Sequence, residues 1–350
     1  MNPEESEMSV EQEVAQVAVE RPHVVVLGAG ASRAACPAGD KHGRVLPLMN
    51  DLGDLTGILE LLRSWGLDDR ANFEEIFSQL YEAEESEKIA TIQEKIEEYF
   101  GTLELPETPT IYDHLVLSLR GKDLIATFNW DPLLMKAYLR NREAGLTLPR
   151  LAFLHGNVLV GHCLSSTHKT AGVAGNRCSQ CGQVFERSAL LYPIKKKNYA
   201  ENQFIANEWK QLRRGFKNAF MITIFGYSGP KTDEEAIYAM KEAWGESGGR
   251  EMEQTSFIVS PTQDEDELVR NWKPFIHTHH YEVQRDFYDS WLANHPRRTG
   301  EAWWNQYLEV KFIDNNPIPK NLSLPDLWDW YERFKEAESG SPKAAASGGA

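Results

Sequence analysis

Polar side chains follow two apolar runs of the sequence, at positions where a buried strand would end. Asn129 and Asp131 come directly after the run 124–128, and His155 follows the run 151–154. Open α/β sheets bind ligands at the carboxyl ends of their strands, so an amide, a carboxylate and an imidazole placed there could orient a ligand and move its protons. The alternative is structural: Asn129 and Asp131 close the turn after the strand, and His155 is a buried histidine.

A glycine-containing turn follows the first apolar run, residues 23–27, and is typical of a loop that binds phosphate. Glycines let the backbone turn sharply and approach a pyrophosphate, and the amides of the following helix point at the anion. Arg33 replaces the third glycine of the dehydrogenase fingerprint, and Asp51 does not close a clear second strand, so a hydride-transfer enzyme is disfavoured. An ordinary tight turn is the alternative. The residues expected to bind a nucleotide here are Gly28, Ala29, Gly30, Ala31 and Ser32.

The cysteines indicate a metal site. Cys178 and Cys181 form a Cys-x-x-Cys pair, a spacing at which two thiolates reach one tetrahedral zinc ion. Cys163 is the natural third ligand, and the fourth is His168 or His162. Such a zinc ion would have a structural role, holding a small module together. The alternative is a group of thiols without metal.

Strands and helices alternate along the chain, which predicts a doubly wound, mostly parallel sheet covered on both faces. The expected strands cover residues 23–27, 124–128, 151–154, 221–225 and 256–259. Between the first two strands the apolar residues recur at helical spacing, so we expect a helical insertion over about 48–120. A small zinc module is expected over about 160–190.

Composition excludes several classes of protein. The 350 residues are 41% hydrophobic, and no apolar run approaches the roughly 20 residues of a membrane span. The first 20 residues are acidic and lack the features of a signal peptide, so a cytoplasmic protein is expected. The net charge of -15 argues against general nucleic-acid binding.

Composition and the pattern of apolar residues divide the chain into four parts. Residues 1–20 are expected to be a flexible acidic arm, and 21–285 a nucleotide-binding domain that contains the helical insertion and the zinc module. Residues 286–338 are expected to form a helical, Trp-rich extension that docks on the domain, and 339–350 a disordered tail.

Taken in order, the motifs at the strand ends resemble those of the sirtuin superfamily, over about residues 22–280. They look closest to the sirtuin-like domains of bacterial anti-phage defence systems. The motifs are Gly28-Ala29-Gly30-Ala31-Ser32, Thr127-Phe128-Asn129-Trp130-Asp131, Leu154-His155-Gly156, the Cys178/Cys181 pair and Gly226-Tyr227-Ser228. The resemblance implies a Rossmann-like sirtuin fold. It also implies further NAD+-binding residues, which are Gly226, Ser228, Asp233 and Ser260.

Protein-deacylating sirtuins carry a Gly-Ile-Pro-Asp-Phe-Arg type segment after the first loop, and this chain has none there. The resemblance therefore implies the chemistry of the defence members, which hydrolyse NAD+ to ADP-ribose and nicotinamide. It implies that Asn129 orients the ribose and a water molecule. Asp131 would bind the nicotinamide carboxamide, and His155 would act as general base or orient the ribose.

Two other functions remain open from the sequence, an NAD+-dependent protein deacylase and a non-catalytic module that binds NAD+ or ADP-ribose. The resemblance further implies activation by assembly, either of copies of this chain or with a hexameric helicase-type ATPase or an Argonaute-like protein. A constitutively active NAD+ hydrolase would deplete its own cell, which is why an activating step is expected.

Overall fold

The computed structural model describes residues 7–67, 73–165, 168, 170–192, 202–229, 233–245, 250, 253–276 and 281–340. The apolar runs of the sequence form the strands of its largest sheet. The strands of the described residues, which belong to three sheets, are β1 (Glu7–Met8), β2 (His23–Leu27), β3 (Leu124–Thr127), β4 (Arg150–Phe153), β5 (Val160–His162), β6 (Ala171–Val173), β7 (Glu186–Arg187), β8 (Met221–Phe225), β9 (Gln254–Ile258), β10 (Tyr281–Gln284) and β11 (Phe312–Ile313).

Six of these strands form a wholly parallel sheet in the order β10-β9-β8-β2-β3-β4. Every residue of β2, β3, β8 and β9 is buried, because helices cover both faces of the sheet. This explains why β2, β3 and β8 are nearly continuous apolar runs, whereas β9 begins with the buried polar residues Gln254, Thr255 and Ser256. The edge strand β10 is only half-buried, with the sequence Tyr-Glu-Val-Gln, and the sequence pattern did not predict it.

Neighbouring strands of this sheet end at the same level. Leu27, the last residue of β2, is aligned with Thr127 of β3 and with Phe225 of β8. Thr127 is in turn aligned with Phe153 of β4, and Phe225 with Ile258 of β9. The residues that follow these five strands therefore lie along one edge of the sheet.

Helices cover both faces of the sheet. The helices of the described residues are α1 (Val10–Ala15), α2 (Ala29–Ala35), α3 (Leu52–Leu55), α4 (Ile58–Ser64), α5 (Phe73–Glu82), α6 (Ser86–Gly101), α7 (Ile111–Leu117), α8 (Leu133–Asn141), α9 (Gln203–Asn218), α10 (Glu234–Trp244), α11 (Glu265–Trp272), α12 (Trp291–Asn294), α13 (Thr299–Tyr307) and α14 (Leu324–Ser339).

Successive side chains of β2 belong alternately to the two apolar layers on either side of the sheet. Val25 and Leu27 pack with the insertion helices α3 to α7 and with α14, whereas Val24 and Val26 pack with α9, α10 and α11. This is the predicted doubly wound sheet with a helical insertion after the first strand. Among the residues that the structure describes, no helix is both long and apolar enough to cross a bilayer.

The expectation of a flexible arm is wrong for residues 7–20. Strand β1 pairs with β11, and α1 buries Glu13, whose carboxylate lies 2.9 Å from His295 Nδ1. Arg298 donates two hydrogen bonds to the carbonyl of Val14, at 3.0 and 2.8 Å. Residues 7–20 contain few apolar side chains, and they are ordered because residues of the C-terminal extension pair with them. Residues 1–6 and, of the expected tail, 341–350 lie outside the described residues.

Candidate functional site

Two turns at the carboxyl edge of the sheet touch through their backbones. The amide of Gly28 donates to Phe225 O and that of Gly30 donates to Gly226 O, both at 3.0 Å. A Cβ on Gly28 would lie 2.5 Å from Gly226 O, and one on Gly226, at φ +63°, would lie 2.1 Å from Ala31 N. The turns after β2 and β8 therefore need glycine in order to pack together, whatever they bind.

A hydrogen-bonded network joins Asn129, Asp131 and Ser32. Asn129 Nδ2 donates to Ser32 Oγ at 2.8 Å and to the carbonyl of Gly28 at 2.9 Å. Ser32 Oγ donates to Asp131 Oδ2 at 2.6 Å, and the other carboxylate oxygen accepts from the amide of Leu133 at 3.0 Å. The structure thus brings together three residues that the sequence placed on two different motifs.

Tyr112 completes this network, although no sequence motif predicts it. Its hydroxyl lies 2.6 Å from Ser32 Oγ and 3.3 Å from Asn129 Nδ2, and its side chain is fully buried. Burial raises the pKa of Tyr112 well above its usual range, with the charge of Asp131 as the next cause, so the phenol stays protonated. Tyr112 belongs to α7 of the insertion, and within its helix it resembles any other apolar position.

The carboxyl group of Asp131 is buried. Burial raises its pKa above the usual range, although hydrogen bonds from Ser32 and Leu133 act in the opposite direction. The turn that carries Asp131 is fixed by Asn157, whose Nδ2 donates to the carbonyl of Asp131 at 2.6 Å. Asn157 directly follows the motif that contains His155, and in the sequence it resembles an ordinary loop asparagine.

His155 lies at the end of β4, with its ring edge-to-face on Phe128 at 4.8 Å between centroids. Helix α9 fixes this strand end by two side chains. Glu208 Oε2 accepts from the amide of Phe153 at 2.8 Å, and Trp209 Nε1 donates to the carbonyl of Leu154 at 3.1 Å. Burial raises the pKa of Glu208 to about 7.

The strand-end residues line a cavity of about 690 Å³, a size typical of ligand and cofactor pockets. Of the residues proposed from the sequence, those that line it are Gly28, Ala29, Gly30, Ser32, Asn129, Asp131, His155, Gly226, Ser228, Asp233 and Ser260. Ala31 instead lies in the apolar core. Asp233 directly precedes α10, and its carboxylate accepts from the Tyr227 hydroxyl at 2.9 Å.

The loop after α2 also reaches the cavity. Arg33 donates to the carbonyl of Leu46 at 2.8 Å and to Asp51 Oδ2 at 2.5 Å. These contacts fix both ends of the segment 46–51, and residues 46–50 line the cavity. Arg33, which takes the place of the third fingerprint glycine, therefore anchors this loop.

A second cluster lies in the segments that connect the strands of the small antiparallel sheet β6-β5-β7. One potential ligand atom from each of Cys163, His168, Cys178 and Cys181 falls within 4.8 Å of the others. Cys163 Sγ lies 3.4 Å from Cys181 Sγ, and His168 Nε2 lies 3.2 Å from Cys178 Sγ. Three sulfurs and one imidazole at such distances could hold a tetrahedral zinc ion.

The geometry also selects the fourth ligand. His168 is in this cluster, whereas His162 lies on β5 with its ring stacked on Phe204 at 5.2 Å. Burial raises the pKa of the Cys178 thiol, but backbone amides of Gln180 and Cys181 and the His168 ring outweigh it and lower this pKa to about 6. A thiol of that pKa is largely the thiolate that zinc requires.

Fold and site define a doubly wound α/β protein with a ligand cleft at the carboxyl edge of its sheet and a Cys3His cluster beside it. No protein-family model matches the sequence, and no curated relative does. Solved structures that match include Sir2 homologues.

Three of these structures show the extent of the match. A Sir2 homologue in complex with NAD is 15% identical, with 84% of this chain and 94% of that one covered at a TM-score of 0.40. A mutant Sir2 homologue with ADP-ribose is 14% identical, with 95% and 98% covered at 0.39. A Sir2 enzyme structure is 15% identical, with 94% and 96% covered at 0.35.

Proposed function

We propose that this chain is an NAD+ glycohydrolase, which cleaves the nicotinamide–ribose bond to give ADP-ribose and nicotinamide. One observation carries the proposal: Asn129, Asp131 and His155 come from two neighbouring strand ends and line the same cavity as the turn 28–32. The carboxyl edge of a parallel sheet is where such folds bind nucleotides. The resemblance of the motifs to those of sirtuin-like NAD+ hydrolases supplies the reaction.

Cleavage of this bond passes through an oxocarbenium-like transition state, and nicotinamide leaves as a neutral molecule. The enzyme must therefore orient the ribose and a water molecule more than it must supply an acid. We assign this orientation to Asn129. Its Nδ2 is bound to Gly28 O and Ser32 Oγ, so Oδ1 is the atom left to hold water or a ribose hydroxyl.

His155 is assigned the role of general base or ribose-orienting residue, because it lines the same cavity at the end of the next strand. Both carboxylate oxygens of Asp131 already accept one hydrogen bond each. Each oxygen has a second acceptor position, so Asp131 can fix Ser32 and still accept the carboxamide N–H of nicotinamide.

The rest of NAD+ is assigned to the other candidates that line the cavity, which are Gly28, Ala29, Gly30, Ser32, Gly226, Ser228, Asp233 and Ser260. The amide of Gly30 is bonded to Gly226 O, so Gly30 contributes a bare backbone surface and no free donor. We assign zinc to Cys163, His168, Cys178 and Cys181, where it would hold the small sheet together. With four protein ligands the zinc ion would have no open coordination position for a substrate, so we assign the reaction to the cleft residues.

We also propose that the enzyme is a defence effector which becomes active on assembly, with copies of itself or with a partner. This proposal rests on the resemblance and on the toxicity of uncontrolled NAD+ loss. Turnover per chain that rises with protein concentration supports it. A dilute monomer with full, concentration-independent turnover would contradict it.

Incubation of the purified chain with NAD+ separates the candidate functions. Release of nicotinamide and ADP-ribose in equal amounts, without any acylated peptide, is the expected result. Turnover that strictly requires an acyl-lysine peptide would identify a deacylase instead. Binding of NAD+ without turnover, over the whole range of protein concentration, would identify a non-catalytic module.

A further inference from the structure

We propose that Tyr112 is a positioning residue for the reaction, supplied to the site by the helical insertion. The inference rests on the proposed NAD+ hydrolysis and adds a residue to its machinery. Tyr112 does not line the cavity, so it acts through the two residues that its hydroxyl contacts, Ser32 and Asn129.

The protons of the network have one consistent arrangement. Ser32 has a single hydroxyl proton, which it donates to Asp131 Oδ2. The short contact of 2.6 Å between Ser32 Oγ and the Tyr112 hydroxyl must then be donated by Tyr112. The two protons of Asn129 Nδ2 are directed to Ser32 Oγ and to the carbonyl of Gly28.

Ser32 Oγ is therefore held by three partners at once. The Tyr112 hydroxyl and Asn129 donate to it, and it donates to Asp131. Removal of the tyrosine hydroxyl would leave a buried oxygen with an unfilled acceptor position, and the serine proton would be free to turn away from Asp131. The side chain of Asn129, which shares that oxygen, would lose its fixed orientation.

Helix α7, which carries Tyr112, is clamped in place. Asp113, the next residue, accepts from the amide and hydroxyl of Thr110 at 2.6 and 2.7 Å. On its other side it accepts from Arg140 Nε at 2.6 Å and from Asn141 Nδ2 at 2.7 Å, both on α8. Helix α8 in turn begins directly after Asp131 and Pro132.

These contacts form a closed path. It runs from Asp131 through α8 to Asp113, then through Tyr112 and Ser32 back to Asp131. A displacement of the insertion that moves α7 would therefore move the Tyr112 hydroxyl away from Ser32. The insertion is in this way coupled to the orientation of Asn129.

Steady-state NAD+ hydrolysis by Tyr112→Phe tests the inference, because this change removes one oxygen and keeps the buried ring. Tyr331→Phe is the matched control, since Tyr331 is also fully buried but lies on α14 outside the cavity. We expect kcat to fall about tenfold in Tyr112→Phe with KM nearly unchanged, and both to stay unchanged in the control. Thermal unfolding and ADP-ribose binding verify that each variant is folded.

A double-mutant cycle with Ser32→Ala supplies the second readout. If Tyr112 acts through Ser32, Tyr112→Phe lowers kcat less than about twofold once the serine hydroxyl is gone. An equal loss in both backgrounds, or a Tyr112→Phe enzyme with the kcat of the control, would overturn the inference. Absence of turnover in both wild type and control would instead refute the proposed reaction, and the positioning role with it.

Discussion

Substitution of Gly226 by alanine should disturb the site through the backbone alone. A Cβ at this position would lie 2.1 Å from Ala31 N and 2.4 Å from the carbonyl carbon of Gly30, far inside van der Waals contact. Because both atoms belong to the turn after β2, the two turns must separate by about 1 Å. That movement breaks the 3.0 Å hydrogen bond from Gly30 N to Gly226 O.

The size of the effect can be estimated against a control with the same backbone strain. Gly57 has φ +73° and no atom within 4 Å of an added Cβ, so Gly57→Ala carries only the strain of a left-handed residue, about 1 kcal/mol. Gly226→Ala adds overpacking and a lost buried hydrogen bond. Together these bring its cost to about 3 kcal/mol or more.

Urea unfolding and titration with ADP-ribose measure the two consequences. We expect Gly226→Ala to lose about 2 kcal/mol more stability than Gly57→Ala, and to bind ADP-ribose at least tenfold more weakly. Equal stability losses, or an unchanged affinity for ADP-ribose in Gly226→Ala, would refute this account of how the two turns build the cleft.

Two further predictions concern the zinc cluster and helix α9. Cys178→Ser should abolish the zinc binding that we expect in wild type, whereas Cys36→Ser, which changes a buried cysteine outside the cluster, should keep it. Metal analysis of protein purified without chelator measures the zinc content of each variant. A wild-type content far below one zinc per chain would contradict the assignment. For Glu208, burial raises the folded-state pKa to about 7 from 4.5, so the folded state binds the extra proton and the free energy of unfolding falls as pH rises through this interval. Glu208→Gln has no titrating group at this position and therefore lacks this decrease. The free energy of unfolding of Glu208→Gln, measured relative to that of wild type, should therefore rise by about 2 kcal/mol between pH 5 and pH 8. An advantage that does not change with pH in urea unfolding would show that Glu208 is ionised throughout.

The position of the cleft could be predicted from the sequence because it depends on a local pattern repeated several times. The apolar runs 124–128 and 151–154 are each followed at once by a polar residue, and in a parallel sheet such strand ends share one edge. This pattern predicts that Asn129, Asp131 and His155 lie close together, and all three line the cavity. The Cys-x-x-Cys spacing selected two members of the Cys3His cluster in the same way.

The sequence could not provide contacts that depend on the packing of distant segments. Tyr112 reaches Ser32 because α7 of the insertion lies against α2. Glu208 reaches the amide of Phe153 because α9 covers the edge strand β4. Residues 7–20 are ordered by an extension at the other end of the chain. None of these contacts has a signature in its own segment.

The glycines of the first turn show a different limit. Their pattern predicted a close approach to pyrophosphate, but the structure gives Gly28 and Gly30 a second reason to lack side chains, which is the contact with Gly226. A glycine pattern alone therefore does not separate nucleotide binding from the packing of adjacent turns. The polar residues of the neighbouring strand ends carry the functional argument instead.

Release of nicotinamide by Asn129→Ala and His155→Ala, beside binding of ADP-ribose, tests the central claim most directly. His42→Ala, a change of an exposed loop histidine outside the cavity, is the matched control. The account predicts that kcat falls by about 10² or more in each cleft variant, while ADP-ribose affinity and folding are largely kept. If both cleft variants hydrolyse NAD+ at the rate of wild type and His42→Ala, then Asn129 and His155 only close the ends of their strands.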